Sequence, residues 1–414
     1  MTNARRWGTL LACGGLVAGL GLLCAAATPQ QASEPATPRH APPPASAYAG
    51  DAACAECHAK EARTYEETAH AHDSSVADRK TILGDFTPGK NALPTAQPNV
   101  ILAMIDAPDG FYQSAVNISD PQNLSGEAQR FDIVIGSGRR GQTYLYWKGN
   151  QLFELPVSYW SPTHEWVMSP GYNDGMPHFD RPVPPRCMEC HASYFEAPAP
   201  SGSDASAAPL NAYRKDNLVL GIGCERCHGP GAEHVAREKS AHPPAAGSAQ
   251  IAIVNPARLS RDRSLDVCGV CHAGAGPPIG PSLAFQPGDV LANYVKATVP
   301  AEGAPVDVHG NQVSALERSK CFTSGKLTCA TRHNVHEKQQ DAAAFSAKCL
   351  TCHEPRACPK FRTMGAAIRT QCIGCHMPEG QSQLITGERS DVMLRAQLRT
   401  HRIAIYPAAA ATVQ

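Results

Sequence analysis

The sequence predicts a mainly α fold with extensive loops and one small antiparallel β subdomain, and three observations predict it. The pentapeptide Cys-x-x-Cys-His occurs six times, at Cys54–His58, Cys187–His191, Cys224–His228, Cys268–His272, Cys349–His353 and Cys372–His376. Glycine (34) and proline (35) are abundant while aromatic residues make up only 6%, a loop-rich composition short of ordinary core material. Between the first two motifs, FDIVIGSGRRGQTYLYWKGNQLFELPVSYW (131–160) has strand-like alternation with β-branched and aromatic enrichment.

With 17 cysteines and 17 histidines in 414 residues, chance supplies roughly 0.03 such pentapeptides. Two thiols at this spacing add to the vinyl groups of haem as thioethers and the adjacent histidine ligates the iron, so all three residue types are needed. Zinc sites and redox dithiols also use Cys-x-x-Cys, but neither requires histidine at the fifth position. The expected covalent anchors are Cys54, Cys57, Cys187, Cys190, Cys224, Cys227, Cys268, Cys271, Cys349, Cys352, Cys372 and Cys375. The expected proximal iron ligands are His58, His191, His228, His272, His353 and His376. Six haems c on 414 − 27 = 387 residues would form much of the core, with helices near them.

Residues 1–27 read as a secretory signal: Arg5 and Arg6, an apolar run from Trp7 to Cys24, and Ala25-Ala26-Ala27 as the cleavage site. Haem attachment at these motifs requires export, so a periplasmic or otherwise exported location is expected, without stable membrane insertion once the signal is cleaved. Residues 28–48 are rich in proline and alanine and are expected to be a disordered linker, which leaves His40 without a role. The divisions that follow are a first haem segment (49–97), a small β insertion (98–160), a second haem segment (161–196) and a linker loop (197–210). A C-terminal multihaem domain (211–404) and a tail (405–414) complete the chain. Short helices are expected at AHAHDSSVADRK (69–80) and SDVMLRAQLRTHRI (390–403).

Basic and acidic residues balance at 37 each, so nucleic acid and anionic membranes are not expected partners. Redox partner proteins, one donor and one acceptor, are. Gly136-Ser137-Gly138-Arg139-Arg140-Gly141 fits a dinucleotide fingerprint, but the strand pattern QTYLYW follows it where a helix is needed. It reads instead as a glycine-rich hairpin turn, and Lys148-Gly149-Asn150 as another.

Removing six proximal histidines from 17 leaves 11, enough for a second histidine on every iron. The distal candidates are His70, in a helix after motif one, His178 before motif two, His234 after motif three, and His309, His336 and His401. His72 competes with His70, and His164 with His178. Cys321, Cys329 and Cys358 lie outside intact motifs, and Cys329-Ala330-Thr331-Arg332-His333 has arginine where a second cysteine belongs. Two readings are open: a seventh haem at Cys329/His333 on one thioether, with Cys321 bridged to Cys358, or a lost haem with a Cys321–Cys329 disulfide.

At these residues the chain resembles the cytochrome c554/c552-type multihaem family. GDAACAECHAKEARTYEETAHA (50–71) is similar to that family's first haem segment. SPGYND, HFDRPVPPRCMECH, GIGCERCHGPGAEH, VNPARLSRDRSLDVCGVCH and CIGCHMP resemble stretches of a subgroup of its exported members. The resemblance implies that His234, His309, His336 and His401 are distal ligands. It also marks a departure, since relatives complete the motif after LTC and follow it with Asp-Pro-His, whereas this chain continues Cys329-Ala-Thr-Arg-His333-Asn-Val-His336.

The expected function is electron transfer between redox partners through mostly bis-histidine haems, with no catalytic residue named. The alternative is an oxidoreductase with one open haem acting on a small nitrogen or sulfur compound such as nitrite, hydroxylamine or tetrathionate. Its pocket would use Arg139, His164 and Tyr172.

Overall fold

Strand-forming alternation extends well beyond residues 131–160 and builds two packed antiparallel sheets. The computed structural model describes residues 40–172, 175–197, 209–243, 245, 252–274, 276–296, 311–325, 327–339, 341–389 and 392–412. The expected signal, the first part of the linker, most of the 197–210 loop and His309 lie outside these residues.

Among the described residues the strands are β1 (Ser74–Val76), β2 (Ala92–Pro94), β3 (Val100–Ala107), β4 (Gly110–Asn117), β5 (Ser125–Arg130), β6 (Ile133–Ile135), β7 (Gly141–Lys148) and β8 (Gln151–Glu154). They continue with β9 (Val157–Trp160), β10 (Glu165–Met168), β11 (Arg181–Pro182), β12 (Ala192–Tyr194), β13 (Val219–Leu220), β14 (Glu379–Arg389) and β15 (Val392–Arg399). A nine-stranded sheet follows the path β1-β6-β7-β9-β10-β14-β15, with β8 on β7 and β11 on β8. A four-stranded sheet runs β2-β3-β4-β5, and β12 pairs with β13.

Alternate residues of a strand face one side, and the inward sides of the two large sheets meet. Leu93, Leu102, Met104 and Phe111 pack with Phe131, Val134, Tyr144, Val157 and Trp166 in one core. Gln113, fully buried, stitches the sheets together: its Nε2 donates to Val157 O at 2.6 Å and its Oε1 accepts from Val157 N at 3.0 Å. Its polar atoms are thereby satisfied inside the core. The glycine-rich segment is a hairpin connection, since Ile133 pairs with Leu145 across it; Gly136 and Gly138 take positive φ there (99° and 79°).

The mainly α expectation is overturned, because helix accounts for 30% and strand for 24%. The β structure is also no small insertion between motifs one and two. The C-terminal hairpin β14–β15 joins the large sheet through Met168 and Glu388. Ile385, Leu394 and Leu398 pack there on Trp160, Val167 and Ala396. The segment expected to be helical at 390–403 is therefore largely strand; Leu394 and Leu398 fit a helix face at i, i+4 as well as they fit strand alternation. The 69–80 segment is likewise a turn followed by β1, so His70 sits beyond the helix Ala59–Tyr65.

Residues 40–48 of the expected disordered linker are docked. Tyr48 packs on Tyr194 with ring centres 4.7 Å apart, and His40 Nε2 lies 3.3 Å from Asp289 Oδ1. No helix among the described residues is long and apolar enough to cross a membrane.

Two consequences are measurable. A Cβ at Gly84 would lie 2.0 Å from the buried Trp166 ring, so Gly84→Ala is expected to destabilise the fold by about 1–3 kcal/mol in denaturant titration. Burial lifts the Glu154 carboxyl to about 7 although Arg181 lies 3.1 Å away. A folded-state pKa raised above the unfolded value gives a contribution that is full at low pH and lost as pH rises through about 7. Glu154→Gln should therefore raise the melting temperature at roughly pH 8 and leave it unchanged at roughly pH 4; equal shifts at both would contradict this origin.

Candidate haem site

Cysteines at i and i+3 and histidine at i+4 share one face of a helical turn, and every motif adopts such a turn. His58 N donates to Cys54 O at 2.9 Å, His228 N to Cys224 O at 3.1 Å and His353 N to Cys349 O at 3.0 Å. Motifs two, four and six lie in the helices Pro185–His191, Arg261–His272 and Cys372–His376. The imperfect motif closes identically, with His333 N on Cys329 O at 2.9 Å.

Motifs one, three and four, the second half of motif two and the imperfect motif line one chamber of about 2310 Å³, against ~300–1,000 Å³ for a site fitted to a drug-sized ligand. The cysteines and histidines of motifs five and six lie outside it, although Ile373 of motif six lines it, and His353 is exposed. Inside, histidines from distant segments face each other. His70 and His272 have ring centres 6.2 Å apart at 72°, His228 and His336 6.0 Å apart at 17°, and His333 and His401 6.2 Å apart at 25°. A metal–imidazole bond of about 2 Å plus ~1 Å from nitrogen to ring centre puts two axial imidazoles on one iron about 6 Å apart. The three pairs fit that requirement.

Burial holds His70, His228 and His333 below the ordinary histidine range and takes His272 and His401 down to about 4. These rings are therefore neutral, the state a metal requires. Three of the rings expected to be proximal have Nδ1 committed to an acceptor, which orients Nε2. His228 Nδ1 donates to Val254 O and His376 Nδ1 to Ala404 O, both at 2.8 Å. His191 Nδ1 instead meets a carboxylate, Asp73 Oδ2, at 2.8 Å. Burial is the largest influence on His191 and pulls it down, but the hydrogen bond and charge of Asp73 outweigh it and hold the ring above its usual value. Asp73 is itself placed by β1, where Gly136 N donates to Asp73 O at 2.6 Å and Ser74 Oγ bonds His191 O.

Thiols of different motifs also touch. Cys54 hydrogen-bonds Cys224, Cys190 bonds Cys271, Cys268 bonds Cys329 and Cys372 bonds Cys349. These contacts join motif one to three, motif two to four and the imperfect motif, and motif five to six.

Of the distal candidates, His70, His336 and His401 are brought opposite another histidine. His70 faces His272 of motif four, not the motif beside it in sequence. His234 lines the chamber, whereas His178 is exposed and outside it. Arg139 lines the chamber with Arg140. His164 and Tyr172 do not: His164 lies against Tyr159 and Tyr172 donates to Glu154 O at 2.9 Å. Sequence reasoning missed Asp73, for which a lone acidic residue after His72 gives no signal.

The family described as cytochrome c554 and c-prime matches residues 53–84 and 170–229, segments that hold the first three motifs, His70 and Asp73. No curated protein matches the chain. The crystal structure of the outer cell wall cytochrome OcwA superposes with a TM-score of 0.54 at 17% identity, over 88% of this chain and 81% of that one. The undecahaem cytochrome from the S-layer of Carboxydothermus ferrireducens gives 0.42 at 17% identity, over 88% of this chain and 53% of that one. The likeness to the outer cell wall cytochrome is one of fold. The chain thus resembles the c554-type multihaem cytochromes, on the motif segments that carried the resemblance in sequence.

A carboxylate on the remote nitrogen makes an imidazole a more basic ligand, which favours the oxidised metal. Asp73→Asn is therefore expected to raise one midpoint potential in a spectroelectrochemical titration at unchanged haem content. An unmoved redox profile would remove Asp73 from that role.

Proposed function

We propose that the protein is an exported multihaem c-type cytochrome that carries electrons between a donor and an acceptor protein. In this reading six haems c are held at the intact motifs, each by its two cysteines and its histidine, with His70 and His336 as distal ligands to motifs four and three. Each bound haem supplies an iron that changes charge by one electron. The observation that carries the reading is the convergence of five Cys/His segments on one chamber with histidines opposed at axial spacing.

The chain's residues do the rest of the work. Thioether-forming cysteines fix each cofactor's edge, and the contacts between thiols of different motifs bring those edges close. Burial holds His70, His228 and His272 below the ordinary histidine range, and Asp73 sets one site apart in basicity. Export is supported by the signal-like residues 1–27 and by the chemistry of haem attachment. The oxidoreductase alternative has weaker support, since of its three pocket residues only Arg139 lines the chamber.

Reductive titration of the purified holoprotein tests the reading. The expected result is reversible uptake of one electron per haem over a spread of potentials, with no steady consumption of electrons when nitrite, hydroxylamine or tetrathionate is added. Steady turnover with any of these would contradict the carrier reading.

A further inference from the structure

The six intact motifs leave His333, His401 and Cys329 without a task. We propose that these three residues hold a seventh haem, attached by a single thioether to Cys329 and ligated on its two faces by His333 and His401. The site rests on the multihaem reading and adds one cofactor to it.

Its geometry repeats that of the intact sites. The Cys329–His333 turn closes at 2.9 Å, as the turns of motifs one, three and five do at 2.9, 3.1 and 3.0 Å. The His333 and His401 rings stand 6.2 Å apart, the same separation as His70 and His272. At that distance the two rings cannot hydrogen-bond each other, so two opposed histidines face the chamber with room for a metal between them. All three residues line the chamber. The Cys329 thiol touches Cys268, the first cysteine of motif four, as Cys54 touches the first cysteine of motif three. Phe345, 5.2 Å from the His333 ring, supplies an aromatic wall.

Arginine at the second cysteine position determines the attachment. The Cys329 S–H bond and one vinyl π bond break, a C–S bond and a C–H bond form, and the addition is redox-neutral, needing no oxidant. The second vinyl group stays intact because Arg332 offers no thiol. The Arg332 guanidinium is drawn instead to the next motif, its Nη1 donating to Cys349 Sγ at 3.0 Å. Cys349 in turn bonds Cys372. The site therefore lies between the chamber motifs and motifs five and six, and it makes one continuous series of what would otherwise be separate groups.

Proteolysis of the denatured wild-type holoprotein followed by mass spectrometry tests the site. The expected result is haem on the peptide containing Cys329, with one vinyl group retained, and seven haem additions on the intact chain. A Cys329 peptide without haem overturns the proposal, whether the site is empty or its haem is extracted by acidified butanone. The six Cys-x-x-Cys-His peptides report separately on the proposed function, which fails if they are bare. Cys329→Ala should lose one covalent haem in seven, and an unchanged count would equally overturn the assignment.

Discussion

Opposed imidazoles from distant segments are the constraint on which the rest of this structure depends. Each facing pair joins segments far apart in the chain: 70 with 272, 228 with 336, and 333 with 401. Around them, among the described residues, helices are short and apolar clusters small, such as Val270, Ala284, Phe285, Leu291 and Tyr294, or Leu265, Leu316, Phe322 and Leu327. Clusters of that size bury little area, and the hydrophobic term scales with area buried. In the proposed reading, metal ligation between distant segments would supply the cohesion that packing does not, because free energy of ligand binding to a folded site is also free energy of folding. The same burial that costs an imidazolium its solvation keeps His70, His228, His272, His333 and His401 in the ligating form.

The sheets solve a different problem. A wall of the chamber must hold its position to fractions of an ångström if second-sphere groups are to act on a ligand, and strands do this better than loops. The core of Leu102, Met104, Tyr144 and Trp166, with the Gln113 clasp, fixes β1, β6 and β7. Those strands carry Asp73 to His191 and turn Arg139 and Arg140 toward the chamber. The β14–β15 hairpin does the same at the other end, delivering Arg399 and, just past its last residue, His401.

What could be read from the sequence divides along these lines. The motifs were legible because covalent attachment demands fixed residue types at fixed spacing, a local signal. The identities of His70, His336 and His401 as candidates followed from counting, but their pairing did not, since a histidine's partner is set by tertiary structure. The β content was underestimated for a physical reason. In VMLRAQLR the apolar positions 394 and 398 satisfy both periods, and the packing of Leu394 and Leu398 on the cluster of Trp160, Val167 and Ala396 decides for strand. Tyr48 was missed as an anchor because a single aromatic residue after a proline-rich stretch gives no periodic signal.

Electron paramagnetic resonance of the oxidised holoprotein tests most directly whether the facing histidines are axial ligands. Near-parallel imidazole planes split the iron dπ orbitals strongly, and crossed planes split them weakly, so the two arrangements give distinct low-spin signals. The account predicts ordinary rhombic low-spin signals from the pairs at 17° and 25°, and a large-g-maximum low-spin signal from His70 and His272 at 72°. High-spin iron with neither class of low-spin signal would contradict it.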